Sequence, residues 1–475
     1  MQAIFTGDCK RGFAGKEKKE QYAVAGILLL FFAVLFSFGP GHYPDTKGYI
    51  EMDIAREPLY PLFLWFCRLI AGENSLWAAI FFQNLFCAVN VYLIYFYVKK
   101  MCFPALFGQK EQKGIQAGRL VLSVLLLVSL LVPHLVTPLL SSSHMILSNG
   151  IISEGLCYPL YQFFIYQLLK VLWEDSRRIV PAFVLAFLLG MVRGQMMTAV
   201  LIWAVTAGYR IFISSKKRFL ILVFAGVMVV LGTRSDVISL YNLAVHGVYA
   251  QNTSNNLTVL TNLLYSSKRE DGAAIGGKTE QELFYRMYDA MEELEYTYHF
   301  AGESMQEKAV HQEYTHDYIK FDVVTPVLKE YVQSLPEKER NGQDEGVLVD
   351  RLAGSFIKPL ITRNLPVRTS VYVAVVWCGL IRTAAFLRPG INFLTMLFYV
   401  FLAGLCIYRI RRDRQDREGL LLLFTFMIIC ANVFSTGLMI MCLSRYVIYN
   451  TSFLYISAFL ALWKTVQEIV VTKLK

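Results

Sequence analysis

Residues 120–140 read LVLSVLLLVSLLVPHLVTPLL, a stretch without Asp, Glu, Lys or Arg. At about 1.5 Å of rise per residue, a helix of this length covers the ~30 Å hydrocarbon core of a bilayer. Lipid offers the backbone no hydrogen-bonding partners, so an apolar block of this length has to be a helix. Working outward from it, the pattern recurs near 22–38, 76–98, 151–173, 179–192, 196–213, 219–232, 391–410, 419–434 and 446–464. The segments at 179–192 and 196–213 are short and meet at Arg193-Gly194-Gln195. The alternating ten-residue strands of a membrane barrel are absent. Over all 475 residues the chain is 55% hydrophobic and 17% charged, against about a quarter charged in a soluble protein. The expected fold is an all-α polytopic membrane bundle of about ten to eleven transmembrane helices with a mostly helical extracytoplasmic domain.

The net charge of +10 lies in the gaps between the apolar blocks: 10–19, 99–119, Arg177 with Arg178, 216–218 and 411–417. Such placement is the positive-inside pattern, so these gaps face the cytoplasm, the N-terminus is cytoplasmic, and the membrane is the inner or plasma membrane. It also argues against nucleic acid as a partner. Residues 1–20 are basic and precede an apolar run, as in a signal peptide. No small-residue cleavage site follows, and Pro40 comes directly after, so this is read as a retained span. Three regions result: 1–232 with about seven spans, a polar segment 233–366 placed outside, and 367–475 with three to four spans. In the polar segment, helical patterns fall at 280–298, 303–321 and 323–332, while 252–264 and 334–346 read as loops. The segment 371–387 is apolar but contains Arg382. If it crossed, the basic run after residue 408 would lie outside, so an interfacial or partly inserted helix is expected. The nine cysteines are scattered, without metal-ligand spacing, and none lies in 233–366.

Candidate chemistry gathers at the outer ends of spans. The first outer loop contains HYPDTKGYIEMDIAREPLYP at 42–61. Asp45 sits in a turn opened by Pro44, just above a span. Partial burial there is expected to raise its pKa and make it a usable base. Residues 49–55, which include Tyr49, suit a short interfacial helix, and Arg56 follows. Glu154 lies near the head of its span, where a carboxylate is costly and therefore a functional candidate, or else simply hydrated at the interface. Arg193 interrupts an apolar run and suits a phosphate, or marks an ordinary turn. Arg445 and Tyr446 open the last span on the same face. Arg445 suits phosphate, and Tyr446 suits a sugar or the aromatic belt. His134 and His144 lack partners at ligand spacing, so no metal site is assigned. A divalent cation at Asp45 and Glu154 would need oxygen ligands only. Nucleotide- and dinucleotide-binding glycine motifs and Gly-x-Ser-x-Gly are missing.

With an N-in first span, Asp45 in the first outer loop, then Arg56-Glu57-Pro58-Leu59-Tyr60-Pro61, Ser153-Glu154, Arg193 and Ser444-Arg445-Tyr446, the chain resembles the GT-C glycosyltransferases. These include protein O-mannosyltransferases and aminoarabinose transferases. The likeness covers about 20–232 and 390–464. It implies a GT-C-like bundle that transfers a sugar, with inversion, from a polyprenyl-phosphate donor to a lipid, glycan or protein acceptor. Asp45 would be the general base and Glu154 its companion in the catalytic set. Tyr49, Arg56, Arg193, Arg445 and Tyr446 would bind substrate. Family members often carry paired acidic residues where this chain has Asp45-Thr46, so neither acceptor class nor metal follows from the motif. The tyrosines at 285, 288, 296, 298, 314 and 318 would cover the cavity or form a helical core. Two other readings are a lipid-linked oligosaccharide flippase or transporter, which predicts deep charges and inverted repeats, and a polysaccharide polymerase or ligase. A non-catalytic assembly factor is a further one.

Overall fold

A computed structural model describes residues 5–107, 113–140, 144–174, 176–214, 220–340, 343–385 and 389–473. Among these residues the chain is all-helical, with one isolated bridge between Gly41 and Gly150. The first half contains α1 (Phe5–Ser37), α2 (Thr46–Ile50), α3 (Leu59–Ala71), α4 (Ser75–Phe107), α5 (Lys113–Leu140), α6 (Ser153–Trp173), α7 (Ile179–Val192), α8 (Thr198–Ile213) and α9 (Leu220–His246). The polar region holds α10 (Asn255–Tyr265), α11 (Lys278–Glu293), α12 (Met305–Tyr318), α13 (Thr325–Ser334), α14 (Glu337–Arg340) and α15 (Glu345–Leu360). Then come α16 (Leu365–Thr383), α17 (Pro389–Arg412), α18 (Arg417–Met439), α19 (Ser444–Val447) and α20 (Thr451–Lys473).

Among the described residues, nine helical stretches are long and apolar enough to cross a membrane, with α3 and α4 counted as one stretch. The chain is therefore a multi-pass membrane protein whose outward apolar side chains, such as Leu222, Phe224 and Val400, meet lipid. Two elements of the expected bundle fall outside that set. Helix α7 is only 14 residues long, and α6 carries Glu154, Gln162 and Gln167, all buried. Helix α6 is an interior helix: Tyr161, Phe164, Ile165 and Leu168 are fully buried.

Two apolar cores share α18 and α20. On α18, Leu421, Phe424 and Ile428 face the core built by α1 and α4–α8, while Leu422, Ile429 and Val433 face the core built by the polar region and α16. The spacings i, i+3, i+7 and i, i+7, i+11 give each set its own helix face, the two roughly 120° apart. Helix α20 divides likewise, with Phe453, Ile456 and Leu460 on one side and Leu454, Ala458 and Ala461 on the other.

Three expectations need correction. Helix α9 does not stop at 232 but runs to His246. Its polar TRSD turn is absorbed because Thr233 Oγ1 donates to Val229 O and Arg234 pairs with Glu57. The stretch at 252–264, read as a loop, holds α10, where Leu257, Leu260 and Leu264 make a buried stripe strong enough to override its Asn and Thr content. Residues 49–55 do not form the expected short helix: α2 covers Thr46–Ile50 and Met52 takes a positive φ; the loop's amphipathic helix is α3, with Tyr60, Leu64 and Cys67 buried. Helix α16 is long enough to cross. Yet both of its ends touch the polar region: Arg368 donates to Ser266 Oγ, and Arg382 pairs with Glu313 at 2.7 Å. The next helix also starts there, Asn392 donating to Gln306. Both ends of α16 thus contact the polar region. Of the segment 371–387, residues 386 and 387 lie outside the described part of the chain.

The basic runs collect at the other end of the bundle. Lys99 pairs with Glu20, Arg417 donates to Met101 O, and Arg409 and Lys464 enclose Asp416 and Glu418. Lys99 lies 24 positions along α4 from Ser75, a rise of roughly 36 Å.

Candidate functional site

The first loop is held open above α1 by backbone pairing. Gly41 N–H donates to Asn149 O, and Ile151 N–H donates to Gly41 O. Asn149 Nδ2 donates to Leu35 O and Gly39 O, pinning the end of α1 to the segment before α6. Thr46 Oγ1 accepts from Tyr43 N–H and donates to Ile151 O. These bonds bring the turn at Asp45 and helix α2 against the start of α6. The approach also depends on Gly155. A Cβ there would lie 2.6 Å from Gly150 O and would strike the Gln83 amide.

A chain of contacts then joins residues far apart in sequence. Tyr49 Oη donates to Ser153 Oγ at 3.0 Å, and Ser153 Oγ donates to Glu154 Oε2 at 3.2 Å. Arg193 Nη1 reaches the same Oε2 at 2.6 Å and Ser153 Oγ at 3.1 Å. Arg445 approaches the other oxygen of Glu154 at 3.4 Å. Both guanidinium groups lie against the Tyr446 ring, with Arg193 Cζ 4.6 Å and Arg445 Cζ 5.0 Å from its centroid. Arg445 Nη2 also donates to Tyr446 Oη. Glu154 is 3% exposed, so its charge rests on these two arginines.

Asp45 stands beside this group with its own partner, Arg56, at 2.9 Å. Arg56 lies over the Tyr49 ring at 4.9 Å, which links the pair to Ser153 and Glu154. The residues Asp45, Tyr49, Arg56, Glu154, Arg193, Arg445 and Tyr446 thus form one contiguous cluster. One expectation about Asp45 is overturned. Burial pushes its carboxyl up, but Arg56, Arg445 and Arg193 outweigh that and hold it below the ordinary aspartate value. Burial carries the Tyr49 phenol up to about 12, so it remains a neutral donor.

Several members were not singled out from sequence. Glu57 pairs with Arg234 of α9 at 3.3 Å, beside Gly194. From the polar region, Asp317 lies in the field of Asp45 and Arg445, and Lys320 in that of Asp45 and Arg56. Arg234 had a signal, being a cation inside an apolar run. Lys320 had none, because lysines in a polar segment are usually solvated. His134 is buried in aromatic contacts with Phe32 and Tyr158, away from these charges. His144 Nδ1 meets Pro138 O at 3.0 Å.

What the cluster offers a ligand follows from its donors. Arg56 Nε and Gln195 Nε2 are buried and have no hydrogen-bond acceptor among the described residues, and Arg445 Nε has only its 3.4 Å approach to Glu154 Oε1. Buried N–H groups without acceptors are uncommon and costly. Two such donors, within a cluster of three guanidinium groups set against Asp45 and Glu154, make a place for an anion. Asp45 and Glu154 already hold arginines, so a divalent cation at either would have to displace one. Among the described residues no three His, Cys, Asp or Glu side chains gather as a metal site. Two clefts lie elsewhere, one at Tyr298, Lys308 and Ser370 and one at Gly404, Tyr408 and Arg411.

Comparison of the chain with family models, with curated proteins and with solved structures returns no match.

Proposed function

We propose that this chain is a membrane glycosyltransferase that moves a sugar from a polyprenyl-phosphate donor to an acceptor, with inversion, at the membrane face that carries the polar region. The observation that carries this reading is the convergence of the Arg56, Arg193 and Arg445 guanidinium groups, with Arg56 Nε and Gln195 Nε2 buried and acceptor-free among the described residues, beside the carboxylate of Asp45. It supplies an anion seat and a base at a membrane edge, which is what a lipid-linked phosphosugar requires. The positive-inside distribution supports an extracytoplasmic site and a cytoplasmic N-terminus.

The charges fit a monoanionic phosphodiester. Arg56, Arg193 and Arg445 face Asp45 and Glu154, leaving one cation in excess. When the donor phosphate binds, it competes for Arg56 and loosens that arginine from Asp45. The freed carboxylate then accepts the proton of an acceptor hydroxyl or amine. The acceptor lone pair attacks the anomeric carbon from the face opposite the phosphate. The bond between that carbon and the phosphate oxygen breaks, and its electron pair stays on the phosphate. Asp45 loses its charge in the step in which the phosphate gains one, so the total charge of the site is unchanged. Arg193 and Arg445, held by Glu154, are already in place for the developing charge and need no reorganisation.

The test is incubation of the purified protein in lipid nanodiscs with a panel of polyprenyl-phosphate sugars and candidate acceptors. Transfer and release of polyprenyl phosphate are expected from the parent protein and from neither Arg193→Met nor Arg445→Met. Movement of intact donor across a vesicle membrane, with the sugar–phosphate bond unbroken, would favour a flippase instead.

A further inference from the structure

The junction of α12 and α13 is not a normal helical turn. Residues Ile319–Val324 form a π-helical turn, a wide turn that often marks functional sites because it redirects side chains. Lys320 lies in it, only 9% exposed. Its ammonium donates to Ser254 Oγ at 2.6 Å and to Thr258 Oγ1 at 2.9 Å, both neutral. An ammonium has three donors. The third has no hydrogen-bond acceptor among the described residues, although the ammonium also lies over the Phe321 ring at 5.4 Å. No carboxylate is hydrogen-bonded to it among the described residues, so its desolvation is offset only in part. Asp317, Arg56 and Asp45 lie within its electrostatic reach, and Asp45 is already taken by Arg56.

We propose that Lys320 is a phosphate-binding residue of the membrane site, so that the polar region completes that site rather than merely covering it. This rests on the phosphosugar reading above. The hydroxyls of Ser254 and Thr258 aim the ammonium. Asp350 fixes their frame by accepting from the backbone N–H groups of Asn256 and Leu257 at the start of α10. The ligand's phosphate takes the third donor from the side opposite Arg193 and Arg445.

The role has a pH signature. Burial lowers the Lys320 ammonium to about 8, with Asp317 and Asp45 raising it and Arg56 lowering it. The groups that face it are His316 and Asp317 on α12, Asp45 and Arg56 in the first loop, and Asp350 on α15. A phosphate monoester is already dianionic above pH ~7. The fall in affinity between pH 7 and 9 is therefore that of the ammonium, about tenfold for a group titrating near 8.

The experiment measures binding of polyprenyl phosphate and of inorganic phosphate to the full-length protein in nanodiscs from pH 6.5 to 9.5. The parent is expected to lose about tenfold in affinity across pH 7–9. Lys320→Met should bind weakly throughout, without that limb. Lys320→Arg should bind well and lack the limb, which separates charge from folding. Equal affinity and equal pH dependence in parent and Lys320→Met would overturn the proposal. Lys320-dependent binding of inorganic phosphate without binding of the polyprenyl form would retain Lys320 and sink the glycosyl-donor reading. Binding of neither probe sinks both.

Discussion

Glu154 is the residue on which the cluster's stability turns. It is buried with Arg193 at 2.6 Å, so Arg193→Met leaves a carboxylate with only the more distant Arg445. Removing one partner of a buried pair typically costs about 3–5 kcal/mol. Arg193→Met should therefore lower the melting temperature in detergent clearly, and Glu154→Gln added to it should restore part of the loss. A double variant no more stable than Arg193→Met alone would show that the pair is not coupled. The Asp45–Arg56 pair has the opposite character, being more exposed. The depressed carboxyl of Asp45 means that this contact contributes above its unfolded-state value near 4 and is lost as pH falls through the lower folded value. The first loop should thus become more protease-sensitive only in acid, and Asp45→Asn should abolish that change. At this scale the candidate residues were legible as charges at the heads of apolar runs. The partnerships were not, because Arg56 lies 11 positions from Asp45 and Arg445 nearly 300 from Glu154. The base strength of Asp45 was misread for that reason: burial is a local property, and the arginines that outweigh it come from three separate elements.

At the scale of elements, the first turn of α6 is where the site is made or lost. Gly155 lets that turn approach Gly150 and Gln83, so Gly155→Ala must push it off its neighbours. Overpacking of this kind costs about 1–3 kcal/mol. The expected result is a lower melting temperature together with weaker phosphate binding, since Ser153 and Glu154 move with the turn. Unchanged binding would show that the turn is not the positioning element. Long apolar helices such as α5 and α18 were readable from sequence, their length being set by lipid. Helix α10 was missed because its Asn and Thr residues suggest a loop, while its stripe of Leu257, Leu260 and Leu264 acts only through burial against neighbours. The extension of α9 past 232 was hidden likewise by its polar turn, which finds partners inside the fold.

Across the whole molecule, charge separates by end. The basic runs around Lys99, Arg409 and Arg417 sit at one end, and the cluster with the polar region sits at the other. An impermeant maleimide applied to intact cells should label Ser334→Cys in the polar region and spare Gln415→Cys at the far end; both positions are exposed. The reverse pattern would put the cluster on the cytoplasmic side and remove the case for an extracytoplasmic transferase. The bundle was legible as a count of apolar blocks. That α18 and α20 join the N-terminal helices to the polar region was not, because each carries two buried faces that a hydropathy pattern cannot tell apart. The most direct measurement is the amount of free polyprenyl phosphate formed from a radiolabelled polyprenyl-phosphate sugar in a single turnover. The parent should release it in step with sugar appearing on acceptor, while Asp45→Asn binds the donor and releases none. Release by Asp45→Asn at the parent's rate would contradict the assignment of that carboxylate as the base.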